Sequence, residues 1–164
     1  MGQLPLYYNH LNTGRPDPDS HSFNRYSSNY LDMSNEPLYP FGYGLSYTNF
    51  SYGNLQLSSD VLSRNGELTV SVTVTNDGDF DGYEIVQMYL HDIYAEISRP
   101  VKELKGFERI FLKKGESREV KFVITEDDLR FYNSGLQYVY EPGEFDVMVG
   151  ANSRDVQTER FRAD

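Results

Sequence analysis

One stretch constrains this chain more than any other. From Glu67 to Asn76, Leu68, Val70, Val72 and Val74 fall on one face and Thr69, Ser71, Thr73 and Thr75 on the other. A period of two, carried by β-branched residues, is a strand with one buried face. It cannot be an amphipathic helix, whose apolar positions recur about every 3.6 residues. A sheet with one apolar face needs a second layer to cover it. Asn76-Asp77-Gly78 then signals a turn.

The pattern repeats downstream. Tyr83 to His91 reads as a second strand, with Ile85, Gln87, Tyr89 and His91 on one face and Val86, Met88 and Leu90 on the other. Phe50 to Leu57 alternates only partly. Leu104 to Leu112, Ser117 to Ile124, Gln137 to Tyr140, Phe145 to Val149 and Val156 to Phe161 complete the series. Lys113-Lys114-Gly115-Glu116 and Glu141-Pro142-Gly143 read as tight turns. About seven strands at roughly 8–12-residue spacing predict an all-β, antiparallel β-sandwich. The one helical signal is Thr125 to Leu129, where Thr125 is an N-cap and Asp128 completes an imperfect capping box.

The first 46 residues differ. Between Asn12 and Pro37 they are mostly Asn, Ser, Asp, Pro and Arg, and Pro16 and Pro18 forbid a helix there. Yet Tyr7, Tyr8, Phe23, Tyr26, Tyr30, Leu31 and Tyr39 punctuate the stretch. A flexible linker does not carry so many rings. The reading is an extended, aromatic-rich arm over 1–46 that lies against something, followed by the sandwich over 47–164.

Composition narrows the function. The 164 residues carry a net charge of −10. Phosphate binding needs clustered Lys and Arg, so nucleic acid is excluded as a partner, and docking on anionic lipid is disfavoured. No apolar run reaches the roughly 20 residues of a membrane span. The absence of Cys removes disulfides, thiolate catalysis and zinc fingers. Met1-Gly2-Gln3 begins neither a charged nor an apolar signal-peptide region.

Candidate sites are few, and no metal or cofactor is expected. Asp77-Gly78-Asp79-Phe80-Asp81-Gly82 matches the first half of a calcium loop. The bidentate acid expected at the twelfth position is instead Met88, so a polar turn is the better reading. Glu126, Asp127 and Asp128 are adjacent, so their carboxylates diverge instead of flanking one glycosidic bond. His10, His21 and His91 lack metal-ligand spacing, and no Gly-x-Ser-x-Gly elbow exists. Gly42-Tyr43-Gly44 is not a dinucleotide loop. Asn49-Phe50-Ser51 is a sequon by chance.

Several segments together resemble a known family. Pro37-Leu38-Tyr39-Pro40-Phe41-Gly42-Tyr43-Gly44-Leu45-Ser46-Tyr47-Thr48 is similar to the junction before the C-terminal fibronectin type III-like domain of family 3 glycoside hydrolases, the β-glucosidases and β-xylosidases. Val74 to Gly78, Gly82 to Tyr89, Arg99 to Arg109 and Gly143 to Gly150 resemble the strands of that domain in order. Leu4 to His10 and Asn12 to Pro16 are similar to the stretch after the preceding α/β domain in periplasmic bacterial β-glucosidases.

The resemblance implies an immunoglobulin-like sandwich with no catalytic residue of its own. In that family the nucleophile and the acid/base lie on other domains, and no motif here matches either. It further implies that the parent is exported, periplasmic or secreted. The expected partner is the pair of missing catalytic domains, with Tyr7, Tyr8, Tyr26, Tyr30 and Phe41 as candidate docking residues. Weak glycan contact and self-association are further expectations. The alternative is a stand-alone carbohydrate-binding or adhesion-type sandwich on exposed Tyr and Phe.

Overall fold

The computed structural model describes residues 7–12 and 34–164. The elements run β1 (Phe50–Tyr52), β2 (Gln56–Leu57), β3 (Val61–Leu62), β4 (Glu67–Asn76), β5 (Gly82–Asp92), β6 (Glu103–Leu112) and β7 (Ser117–Thr125). Then come α1 (Glu126–Leu129), β8 (Phe131–Tyr132), β9 (Tyr138–Val139), β10 (Gly143–Gly150) and β11 (Val156–Ala163). They form a fibronectin type III-like β-sandwich. In one sheet β4 is flanked by β7 on one side and by β1 and β2 on the other; the second sheet runs β3-β11-β10-β5-β6. All pairings in these two sheets are antiparallel except β3 with β11.

Alternation sets the register. Leu68, Val70, Val72 and Val74 of β4 and Val120 and Ile124 of β7 are buried between the sheets. Val86, Met88 and Leu90 of β5, Ile110 and Leu112 of β6, Phe145, Val147 and Val149 of β10 and Phe161 of β11 meet them from the other side. Each buried Val or Leu contributes about 1.5–3 kcal/mol relative to exposure. A one-residue slip would turn the whole set outward. At α1, the Asp128 carboxylate accepts from Thr125 N at 2.8 Å and Thr125 Oγ1 at 2.9 Å, so the residues of the expected capping box do close the turn.

Phe50 to Leu57 is not one strand. Tyr52 pairs with Val74, but Gln56 pairs with Ser71, so one extra residue is inserted between them. An insertion of one switches which parity faces inward. Phe50 and Tyr52 pack on the core before it, Leu55 and Leu57 after it. This is why the alternation in the sequence is only partial. Gln157 of the opposite sheet spans the break. Its Nε2 donates to Tyr52 O at 2.9 Å, and its Oε1 accepts from Leu55 N at 2.9 Å. The two-residue strands β3 and β8 went unread because two residues carry no period.

Two polar groups sit inward. Asn76 is fully buried and in phase with the valines of β4. Its Oδ1 accepts from Thr48 Oγ1 (2.6 Å) and Gly78 N (3.2 Å), and its Nδ2 donates to Phe80 O (2.8 Å) and Leu112 O (3.1 Å). Both amide atoms are therefore saturated.

Glu84 of β5 accepts from the Tyr52 hydroxyl at 3.0 Å. Burial pushes its carboxyl above the ordinary value of 4.5, against the opposing pull of the Tyr52 hydrogen bond and the Ile85 backbone bond. A carboxyl raised in the fold contributes stability that is full below its unfolded pKa and is lost as pH rises through its folded one. Glu84→Gln should therefore raise Tm at neutral pH, and the gap should close by about pH 4. Parallel melting curves that kept a constant gap from pH 4 to 8 would refute this.

Candidate functional site: the junction segment and its seat

Gln87, Tyr89 and Met148 lie on the outer face of the five-stranded sheet, where Tyr89 pairs directly with Met148. An outer face normally meets water, yet all three are buried. The chain before β1 covers part of that face. Gly42 has a φ of 80°, which bends the segment over Gln87. Gln87 Nε2 donates to Gly42 O at 3.3 Å and to Ala151 O at 2.7 Å, and its Oε1 accepts from the Tyr89 hydroxyl at 2.5 Å. Ser153 N donates to Phe41 O at 2.9 Å, and Pro40 is buried. Lys102 Nζ donates to Ser153 O at 2.6 Å, and burial lowers its pKa from the usual value. At the far end Thr48 is held by Asn76.

The described part of the arm joins the same layer. Tyr8 stacks on Phe41 with centroids 4.1 Å apart and meets Tyr89 edge-on at 5.9 Å. Burial, with a smaller contribution from Tyr8, pushes the Tyr89 hydroxyl up to about 12. Val101 N donates to His10 O at 3.0 Å, and Leu11 bridges Pro100.

Three of the five candidate docking residues thus have a place. Tyr8 is half-buried and packs on the sandwich itself. Phe41 shares that stack but keeps an exposed edge, and Tyr7 faces solvent. Tyr26 and Tyr30 lie outside the described residues. Leu38, Tyr39, Leu45 and Tyr47 of the junction also stand outward, though none is among those candidates, with Leu45 90 % and Tyr47 98 % exposed. Nothing in the sequence warned of this, since Tyr39, Phe41, Tyr43, Leu45 and Tyr47 alternate as a half-buried strand would, whereas the structure forms no strand there.

The other candidates are engaged locally. Asp79 Oδ1 takes the Lys114 ammonium at 2.7 Å, and Asp81 Oδ1 accepts Lys114 N at 2.9 Å, so the Asp77–Gly82 loop is tied to the next turn. Arg130 binds Glu126 at 2.7 Å and Asp127 at 3.0 Å. His10 contacts Tyr7 O, His91 lies 3.9 Å from Asp146, and His21 is outside the described residues. Among the described residues no group of three His, Cys, Asp or Glu is placed to hold a metal, and no helix is long and apolar enough to cross a membrane.

Comparison with known proteins agrees with this architecture. Residues 84–153 match the fibronectin type III-like domain family. The chain is 51 % identical over 162 residues to a periplasmic β-glucosidase of Salmonella typhimurium, covering 98 % of this chain and 21 % of that protein. It is 41 % identical to a putative β-xylosidase of Formosa agariphila, covering 99 % and 20 %. A crystal structure of a β-glucosidase from Listeria innocua in complex with isofagomine superposes with a TM-score of 0.91 at 47 % identity, over 99 % of this chain and 22 % of that one. The chain therefore spans about a fifth of the length of these relatives. Sequence similarity over almost the whole chain, on the same fold, places the chain among the fibronectin type III-like domains of the family 3 glycoside hydrolases.

Proposed function

We propose that this chain is a non-catalytic, C-terminal accessory module of a family 3 glycoside hydrolase of the β-glucosidase or β-xylosidase type, which removes terminal β-linked sugars. It packs against the catalytic domains and holds them. One observation carries the reading: the junction is fastened to the sandwich at Gln87 and Ser153 through its backbone and at Asn76 through the Thr48 hydroxyl, while Leu45 and Tyr47 stand almost wholly in solvent. Exposed rings on a pre-ordered backbone are the anchors of an interface, because little entropy remains to be lost on docking. The name of the Salmonella relative supports a periplasmic parent.

The test is Leu45→Ser with Tyr47→Ser, made in the complete enzyme and in this chain alone. The complete enzyme should lose about 2–4 kcal/mol of stability, the worth of interface anchors, and should inactivate at lower temperature. The chain alone should melt as before. An unchanged complete enzyme would end the docking reading. Ring geometry gives carbohydrate binding little support. The exposed pair Tyr132 and Tyr138 tilts by 43°, and Arg109 lies 3.7 Å over the Tyr83 ring, occupying a face a sugar would need.

A further inference from the structure

The β8–β9 hairpin carries an apolar side chain in a backbone conformation that disfavours it. Leu136 has a φ of 58° and is 83 % exposed. A left-handed backbone is costly for any residue with a branched or bulky side chain, and Gly or Asn takes such positions routinely. Asn65, the other such non-Gly residue among those described, fits that rule. Leu136 does not. In this chain its side chain gains nothing in return, because it is in water.

The tip is nevertheless rigid. Asn133 Oδ1 accepts from Gly135 N and Gln137 N, both at 3.0 Å. Asn133 N donates to Gln137 O and Leu136 N to Asn133 O, also at 3.0 Å. The Ser134 hydroxyl donates to Glu96. None of these bonds needs a Leu side chain. The exposed rings of Tyr132 and Tyr138 pair 5.0 Å apart at the hairpin's base. A strained, apolar, exposed residue on an over-determined turn points to a use outside the fold that holds it.

We propose that this hairpin is a docking finger, whose Leu136 tip inserts into an apolar pocket with a basic rim on the part of the enzyme outside this chain. The proposal rests on the docking reading above and adds a second contact to it. Three observations select that occupant. The chain is about a fifth of its relatives' length, so most of such an enzyme lies outside it. The loop whose Glu96 binds the hairpin also carries Pro100 and Val101, which hold Leu11 and His10 of the arm. One loop therefore touches both the arm and the hairpin. Glu141 accepts from Glu96 N at 3.1 Å, so two carboxylates stand at the finger's base. On a chain of net charge −10, a second copy would meet like charge there.

The experiment compares Leu136→Gly and Leu136→Asn in this chain alone and in the complete enzyme that carries it. Both replacements accept the left-handed backbone. In the chain alone Tm should hold or rise. In the complete enzyme it should fall by about 1 °C or more, since a given loss shifts the Tm of a larger protein less. The sign reversal is the signature. Equal behaviour in both settings overturns the proposal, as does a fall in the chain alone, which would give Leu136 a role inside the fold. Concentration-dependent self-association abolished by Leu136→Gly would also overturn it, in favour of a second copy. The Leu45→Ser, Tyr47→Ser variant run alongside separates the two readings. If it destabilises the complete enzyme and Leu136→Gly does not, the finger is wrong and the docking reading stands; if neither does, both fail.

Discussion

Asn76→Ala should lower the Tm of this chain by about 10 °C. The amide makes four hydrogen bonds and is fully buried. Removing it strands the Thr48 hydroxyl, Gly78 N, Phe80 O and Leu112 O at once. Each buried group left unsatisfied costs about 1–3 kcal/mol, reduced where water enters the space vacated. A net loss of about 3–5 kcal/mol corresponds to about 2–4 °C each in a domain of this length. Thr48→Val is the graded control. It removes one donor and leaves the others, so it should cost about 1 kcal/mol. Thermal melts of both variants decide the matter. An Asn76→Ala shift no larger than that of Thr48→Val would mean the cluster does not act as a unit. The consequence reaches the junction, because Asn76 holds its far end through the Thr48 hydroxyl.

Gly42→Ala should release the junction from the other end. The residue has a φ of 80°, a region that costs an L side chain about 1–2 kcal/mol. Its new Cβ would also lie 2.1 Å from Gln87 Oε1. That amide cannot swing aside freely, since it binds Ala151 O and the Tyr89 hydroxyl as well as Gly42 O. Either the segment lifts or the Gln87 cluster opens. We expect a loss of about 2–4 kcal/mol from strain and overpacking together. The local readout is the Ser153 amide, which donates to Phe41 O. Its hydrogen exchange should approach that of an unprotected amide while the amides of β4 and β7 stay slow. Retained protection at Ser153 would show that the segment adapts in place. In the complete enzyme the same variant should reproduce the instability of the Leu45→Ser, Tyr47→Ser variant, because both disturb one surface.

The residues differ in how much they disclose by pattern. β4, β5, β6, β7, β10 and β11 were legible to within two or three residues, β4 by its clean alternation and the others as apolar and β-branched runs set between turn signals. The chain Phe50 to Leu57 was not, because the extra residue that flips its parity is visible only against the partner strand. Asn76 was half legible. Its phase with Val70, Val72 and Val74 places it inward, yet Asn-Asp-Gly reads as a turn, and it is both: the last inward residue of β4 and the amide that closes the turn. Nothing in the sequence separates Tyr8, a candidate docking residue that packs on Phe41 and Tyr89, from Leu45 and Tyr47, which were not candidates and face water. Tyr8 lies in a stretch with no period, and the alternation from Tyr39 to Tyr47 offers a phase that the structure, which forms no strand there, does not follow.

The sequence by itself determined the class of fold, the register of the long strands, the turn at Thr125 to Leu129 and, through the junction motif, the family. These are local properties: side-chain period, turn chemistry and contiguous motif all act over a few residues. Tertiary structure alone decided that Gln87 and Tyr89 lie under a covering segment, that Gln157 bridges the break in the first strand, and that Leu136 stands strained at a hairpin tip. Those outcomes depend on which distant residues meet. A polar side chain on an outer face is indistinguishable from a solvated one until the segment that covers it is in place.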